Sequence, residues 1–168
     1  VLLDVSEADD VACEVSTEQR GEIVVRHRTR PAGDRSFDYD ASWGQEFALQ
    51  HSATTQSPAL VAGRYSVIPD VPRGWDLAKA SCSDGSKPTD VDLSPGESLE
   101  CTFVAARRGR IVVVSESEPA TSDRQFPVDV SWGDTARVSA AVRHVSPTLQ
   151  PGTYSVSPQE KRGWDQTV

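Results

Sequence analysis

The chain repeats itself. When the sequence is laid over itself with a shift of 88 residues, Cys13 falls on Cys101 and Gly21 falls on Gly109. One inserted residue then changes the shift to 89. The positions that agree beyond this insertion include Asp34 and Asp123, Phe37 and Phe126, Trp43 and Trp132, Tyr65 and Tyr154, and Trp75 and Trp164. Self-similarity at a period of this length predicts several small modules built on one plan, not a single large domain.

The repeat divides the chain into three parts. Residues 21–108 form a complete unit, residues 109–168 match its first two-thirds, and residues 1–20 match its final strands. Either the chain is a window from a longer array, or residues 1–20 are donor strands that complete the unfinished unit of a neighbouring copy. Both interpretations predict a fibre or a stalk whose partners are adjacent repeats or other copies of the chain.

Within the unit, apolar and polar residues alternate with the period of a β-strand. Strands are predicted at residues 22–25, 37–40, 47–49, 65–68, 91–93 and 99–103, separated by turns rich in Gly, Pro, Ser and Asp. No ten-residue stretch keeps a helical period with caps. We therefore predict an all-β fold of tandem, Ig-like antiparallel β-sandwich domains of about 88 residues.

Four short motifs of the complete unit resemble a known family. They are LVAGRYSV at residues 60–67, GWDL at 74–77, SC at 81–82 and GESLECTF at 96–103. In this order they resemble the prealbumin-like (transthyretin-like) β-sandwich repeats of bacterial and archaeal cell-surface proteins, including SpaA-type pilin and adhesin modules. The resemblance spans the complete unit and implies a structural or adhesive role as a stalk, pilus shaft or adhesin spacer.

The chain departs from that family in two respects. It contains no Asn, so the Lys–Asn isopeptide bond common in such Gram-positive pilins is excluded, and only a Lys–Asp bond from Lys79, Lys87 or Lys161 is left. The usual Asn of the last strand is also replaced, because Phe103 is followed by residues 104–106, VAA. Covalent stiffening must come from elsewhere.

The cysteines provide one candidate. Cys82 and Cys101 flank a hairpin-like segment and are the predicted disulfide, with a buried pair of free thiols as the alternative. A disulfide implies export, so we expect an extracellular or cell-surface location. Cys13 occupies the Cys101 position of the preceding unit, so its partner lies before residue 1 or in another chain.

Charge and motif content exclude several functions. A formal net charge of -8 repels a phosphate backbone, and no apolar run is long enough to span a bilayer. The chain has no nucleophile elbow, phosphate-binding glycine loop or repeated Ser, His and Asp set. We therefore predict no enzymatic activity, no metal and no cofactor. Asp38 and Asp40 lie on one outward strand face, with a weak Ca²⁺ site as the minority interpretation.

The first strand carries a charge contrast between the two units. Arg26, Arg28 and Arg30 share one face of the strand, whereas Glu116 and Glu118 occupy the places of Arg28 and Arg30 in the next unit. Charges on edge strands block unwanted pairing. Alternatively, these residues form a complementary contact between modules or between neighbouring filaments.

Tryptophans recur at fixed positions of the repeat. Trp43 corresponds to Trp132, and Trp75 corresponds to Trp164. Recurrence of this kind is typical of aromatic residues that support the core or plug a turn. The rival interpretation is a carbohydrate- or protein-binding surface module in which Trp43 and Trp132 stack on a ligand.

Overall fold

In the computed structural model of the protein, the described residues are 12, 14–118, 120 and 124–165. They form fourteen β-strands, and no helix occurs in these ranges, so none of them forms a helix able to cross a membrane. The predicted all-β class is confirmed. The strands are β1 (Glu22–Arg30), β2 (Phe37–Ala41), β3 (Gln45–Leu49), β4 (Thr54–Gln56), β5 (Gly63–Tyr65), β6 (Val67–Pro69), β7 (Trp75–Cys82), β8 (Val91–Leu93), β9 (Ser98–Arg107), β10 (Val112–Val113), β11 (Phe126–Val130), β12 (Ala136–Val138), β13 (His144–Val145) and β14 (Val156–Pro158).

Residues 21–108, called here the first segment, form three sheets around one core. Their strand orders are β4-β1-β9-β7, β3-β2-β6 and β5-β8. Alternate side chains are buried, including Ile23 and Val25 of β1 and Phe37 and Tyr39 of β2. Tyr39 meets Phe103 of β9 edge to face at 5.1 Å between ring centroids. The two larger sheets therefore contribute to a common core, as the sheets of a β-sandwich do.

One strand pair differs from the prediction of an antiparallel sandwich. β1 and β9 pair in parallel, from Glu22 opposite Ser98 to Arg30 opposite Ala106, so the antiparallel prediction is wrong for this pair. The other pairs of named strands in the described ranges are antiparallel. A tight turn forces neighbouring strands to run in opposite directions, but β1 and β9 are joined by the rest of the segment, which leaves either direction open.

Residues 109–165, called here the second segment, form the sheets β10-β13 and β12-β11-β14. The core of this segment contains Phe126, Val128, Val130, Ala136 and Val138. In the self-alignment, β10 corresponds to β1, β13 to β4, and the three-stranded sheet to β3-β2-β6. The second segment thus has counterparts of the early strands of the first.

Corresponding hydrogen bonds accompany these strands. The backbone N–H of Ile23 donates to Ser57 Oγ at 3.0 Å, and that of Ile111 donates to Ser146 Oγ at 2.9 Å. The Tyr65 hydroxyl donates to the carbonyl of Val61, as that of Tyr154 does to the carbonyl of Gln150, both at 2.8 Å. The two segments therefore use the same side chains to fix the same turns. The tandem organisation and the unit length of about 88 residues stay predictions.

Candidate functional site

The edge of β10 differs from the corresponding edge of β1. Within the described ranges, β10 pairs with β13 alone, through Val112 opposite Val145 and Val113 opposite His144. β1 instead has β4 on one side and β9 on the other. On the outer face beside this edge, the side chains of Val112 and Val114 are 50% and 67% exposed. The unpaired side of β10 offers backbone donors and acceptors to a further strand.

The corresponding residues Gly21 and Gly109 also have different surroundings. A Cβ placed on Gly21 would lie 2.6 Å from the backbone oxygen of Glu97, in the turn that leads into β9. A Cβ placed on Gly109 would meet nothing within 4 Å among the described residues. Only glycine fits at the first position because the β9 strand and its turn cross closely over it. The space above Gly109 is open.

The predicted disulfide is present in the structure. Cys82 and Cys101 are bonded, with a sequence separation of 19 residues. They lie opposite each other at one end of the antiparallel β7–β9 pair, so the bond ties the edge strand β7 to the central strand β9. Cys13 lies outside the described residues.

The arginines of β1 have different surroundings. Arg26 donates to Glu100 Oε2 of β9 at 2.8 Å, so its charge is already balanced within the chain. Arg28 and Arg30 are exposed on the same face. The predicted complementary contact through these arginines and glutamates stays a prediction.

Glu116 and Glu118 are exposed but lie beyond the end of β10 at Val113. The repeat predicts both glutamates on a strand that matches β1. The observed strand is shorter because, in the described ranges, it lacks the second neighbour that holds the far end of β1.

Trp43 and Trp132 are both half-buried and packed against their cores. Trp43 Nε1 donates to Gln45 Oε1 at 3.1 Å, and its ring meets the edge of Tyr65. The ring of Trp132 stacks on His144 with 6.4 Å between centroids. These contacts hold both rings against their cores, and ligand stacking at either residue stays a prediction.

A buried histidine lies in the core of the first segment. His27 has no exposed surface, and its Nδ1 shares a hydrogen bond of 2.6 Å with the Tyr39 hydroxyl. Its Nε2 is buried and has no hydrogen-bond partner in the part of the chain that the structure describes. Burial, with a smaller contribution from the charge of His51, lowers the pKa of His27 to about 4. Burial also raises the pKa of Tyr39. Both groups are therefore neutral at pH 7.

The junction of the two segments is held by polar contacts. Arg108 donates from Nη2 and Nε to the two carboxylate oxygens of Asp76, at 2.6 and 2.8 Å. This hydrogen bonding lowers the pKa of Asp76. The backbone N–H of Arg108 donates to the carbonyl of Gly74, and Gln150 of the second segment reaches Asp76 at 3.4 Å. Asp76 therefore contacts residues on both sides of the junction.

Comparison with known proteins gives no family assignment. No family model and no curated protein match the chain. Among solved structures, it is similar to the Bacillus anthracis TIE protein, with 12% identity and a TM-score of 0.38, over 85% of this chain and 29% of that chain. It is also similar to a streptococcal ancillary pilin, with 13% identity and a TM-score of 0.39, over 90% of this chain and 57% of that chain. The chain thus spans less than two-thirds of either match, and at these TM-scores neither similarity carries a functional argument. In the described ranges, no group of three or more His, Cys, Asp or Glu side chains is placed to hold a metal ion.

Proposed function

We propose that the protein is a structural segment of an extracellular filament, pilus or adhesin stalk built from tandem β-sandwich modules. We further propose that a strand equivalent to β9 completes the second segment by pairing with β10. The observation that carries this proposal is the unpaired edge of β10, at the place where β1 holds a parallel neighbour. The strand can come from later in the same polypeptide, as in a longer array, or from a neighbouring copy.

Residues 10–16 have the sequence of a suitable donor strand. In the repeat they correspond to residues 98–104, the part of β9 that pairs with β1. Their apolar residues alternate in the same phase as the buried residues of β9, with Val11, Cys13 and Val15 in the places of Leu99, Cys101 and Phe103. Such a strand would add three apolar side chains to the core of the second segment. Residues 10, 11 and 13 lie outside the described residues, so their pairing belongs to the proposal.

The repeat also gives the register of the pairing. In the first segment, Val25 of β1 lies opposite Cys101 of β9. A shift of 88 residues places Val113 of one copy opposite Cys13 of its neighbour. Because side chains alternate between the two faces of a strand, Val114 would lie on the other face from Cys13.

Cysteine cross-linking tests this register. We expect the Val113→Cys variant, concentrated and oxidised in air, to form disulfide-linked dimers and longer species that separate on a non-reducing gel. Val114→Cys is the matched control, because its thiol is exposed but faces away from Cys13 and should cross-link far less. Equal cross-linking in the two variants, or none in either, would reject strand exchange between copies.

A second substitution should block the incoming donor strand and leave the fold of the second segment unchanged. In a completed second segment, Asp9 of the neighbour takes the place of Glu97 and crosses over Gly109. Adding Gly109→Ala to Val113→Cys should therefore suppress cross-linking, while urea unfolding of the unlinked chain stays unchanged. Negative-stain electron microscopy of the oxidised material completes the test. End-to-end filaments support the proposal, and isolated particles at all concentrations contradict assembly of this chain.

A further inference from the structure

The chain has two charged surfaces of opposite sign, and both are separate from the edge of β10. The first, called here the basic cleft, is found where the two segments meet and has a volume of about 610 Å³. Trp75 and Thr148 contribute to its lining. Its charged residues are Arg35, Arg73, Arg107, Arg108 and Arg110. Of these, Arg108 is the one with an ion pair in the described ranges, so four guanidinium groups face the cleft without a carboxylate partner.

The second surface, called here the acidic face, covers the outer side of the β3-β2-β6 sheet. Asp38, Asp40, Glu46 and Asp70 line a shallow depression of about 650 Å³. Ile68 lies among these carboxylates and is 50% exposed. None of the four forms an ion pair with another described residue. An apolar centre inside a charged rim is the anatomy of a protein-binding surface.

Two carboxylates of the acidic face destabilise the sheet that carries them. Asp40 of β2 and Glu46 of β3 lie directly opposite each other in the antiparallel ladder. Like charges at directly opposite positions destabilise a sheet. Stability of the isolated segment therefore does not account for this pair.

The second segment shows that the fold does not need these charges. At the positions that correspond to Asp40, Glu46 and Asp70 it has Asp129, Thr135 and Gln159. Thr135 Oγ1 and Gln159 Nε2 both donate to Asp129 Oδ1, at 2.9 and 2.8 Å. The same sheet positions thus hold a satisfied network in one segment and three repelling carboxylates in the other.

The arginine cluster of the basic cleft is likewise not repeated in full at the corresponding positions of the chain. At the preceding junction of the repeat, Arg107 and Arg110 are replaced by Gln19 and Glu22. The corresponding sequence positions therefore lack the full arginine cluster. Neither charged surface is therefore required by the fold that the two segments share.

We propose that the basic cleft of one copy binds the acidic face of a second copy. The two surfaces are opposite in sign, and each places a hydrophobic side chain, Trp75 or Ile68, among its charges. At physiological salt the Debye length is about 8 Å, so the net charge of -8 on each copy is screened beyond the local contact. The inference rests on the proposed structural role as a filament or stalk segment, and it adds a lateral contact between copies.

Reciprocal charge reversal tests this contact. Variant A carries Arg35→Glu and Arg73→Glu, and variant B carries Glu46→Arg and Asp70→Arg. We expect the unaltered chain to self-associate in sedimentation velocity at physiological salt and to dissociate in 0.5 M NaCl, a condition of strong screening. Each variant alone should need at least about tenfold more protein to associate, since the two reversed charges cancel the two unpaired charges that remain on the altered surface and remove the attraction. An equimolar mixture of A and B should regain association, because each presents a surface complementary to the other.

Controls separate the contact from general charge effects. Arg124 and Arg162 correspond to Arg35 and Arg73 and are exposed in the second segment. Reversing both to Glu should leave self-association unchanged. The double variant Glu46→Thr, Asp70→Gln installs the residues of the second segment, so it should weaken association while making the first segment more stable to urea.

Three outcomes would overturn the proposal. They are an unaltered chain that stays monomeric at physiological salt, a mixture of A and B that does not associate, and a chain that stays monomeric but is retained on sulfated polysaccharide through Arg35 and Arg73. The last would assign the cleft to an anionic glycan. The Val113→Cys cross-link tests strand exchange independently of this contact. Failure of the lateral contact and failure of end-to-end assembly are therefore distinguishable.

Discussion

The buried His27 makes the first segment sensitive to mild acid. The imidazole is enclosed in the core, with Nδ1 bonded to Tyr39 and Nε2 without a partner among the described residues. Protonation would add a charge and a second N–H donor in a place shielded from bulk solvent, with no acceptor for Nε2 among the described residues. The folded state therefore disfavours the imidazolium form, and acidification should favour unfolding.

The magnitude follows from the pKa. Folding lowers the pKa of His27 from 6.5 to about 4. A base with a lowered folded pKa contributes stability that is fully present above the unfolded pKa and is lost as the pH falls toward the folded one. At about 1.4 kcal/mol per pKa unit, the free energy of unfolding should fall by about 2 kcal/mol between pH 7.5 and pH 5.0, and by about 3 kcal/mol below pH 4.

Urea unfolding can isolate this contribution. In a background with Trp132→Phe and Trp164→Phe, the fluorescence of Trp43 and Trp75 reports on the first segment. His27→Gln keeps an amide near Tyr39 but removes the titration, and we expect it to lose about 2 kcal/mol less than the parent between pH 7.5 and 5.0. His144→Gln, in the second segment, is the control and should keep the full loss. If His27→Gln and its parent lose equal stability over this range, the reasoning about the buried imidazole is refuted.

Two further predictions concern stability. Replacing both Cys82 and Cys101 by Ala should lower the free energy of unfolding by about 3 kcal/mol, the value for closing a loop of this size, and adding a reductant should then have no effect on urea unfolding. Gly21→Ala should lower it by about 1 to 3 kcal/mol, because the new methyl group meets the backbone of Glu97, whereas Gly109→Ala should be neutral in the free chain. Thermal unfolding of the two glycine variants side by side checks this, and equal losses would contradict the open space above Gly109.

The strands that the sequence predicted best are those with one buried face. β1 and β2 alternate strictly between buried and exposed residues, so their period of two is visible in the sequence. β7 was missed because it is an edge strand whose ladder shifts register between Leu77 and Lys79, which breaks the alternation. The predicted strand at residues 65–68 is two strands, β5 and β6, that pair in different sheets. Local periodicity cannot reveal such a change of partner.

The candidate sites also differ in how far the sequence could predict them. The place proposed for a β9-like strand beside β10 could be deduced from the repeat, because the first segment is the template for the second. The basic cleft could not, since its arginines come from three distant stretches, around residues 35, 73 and 107–110, that only the fold brings together. The acidic face had an available signal. Comparing the two units at Asp40 and Glu46 reveals carboxylates where the second unit has a complementary pair.

The parallel pairing of β1 and β9 links the fold of one unit to the arrangement of several. The chain enters the first segment near Glu22 and leaves it after Arg107, and these points lie at opposite ends of the pair because Glu22 is opposite Ser98 while Arg30 is opposite Ala106. Nine residues of extended strand separate the ends by about 30 Å. If β9 ran the other way, the exit would return to the entry, and the next unit would start beside the first. With parallel strands and only residues 108–111 between β9 and β10, the second segment begins at the far end of the first, and we expect the same of each further unit in the proposed array. That geometry suits a stalk, whose length must grow with the number of repeats.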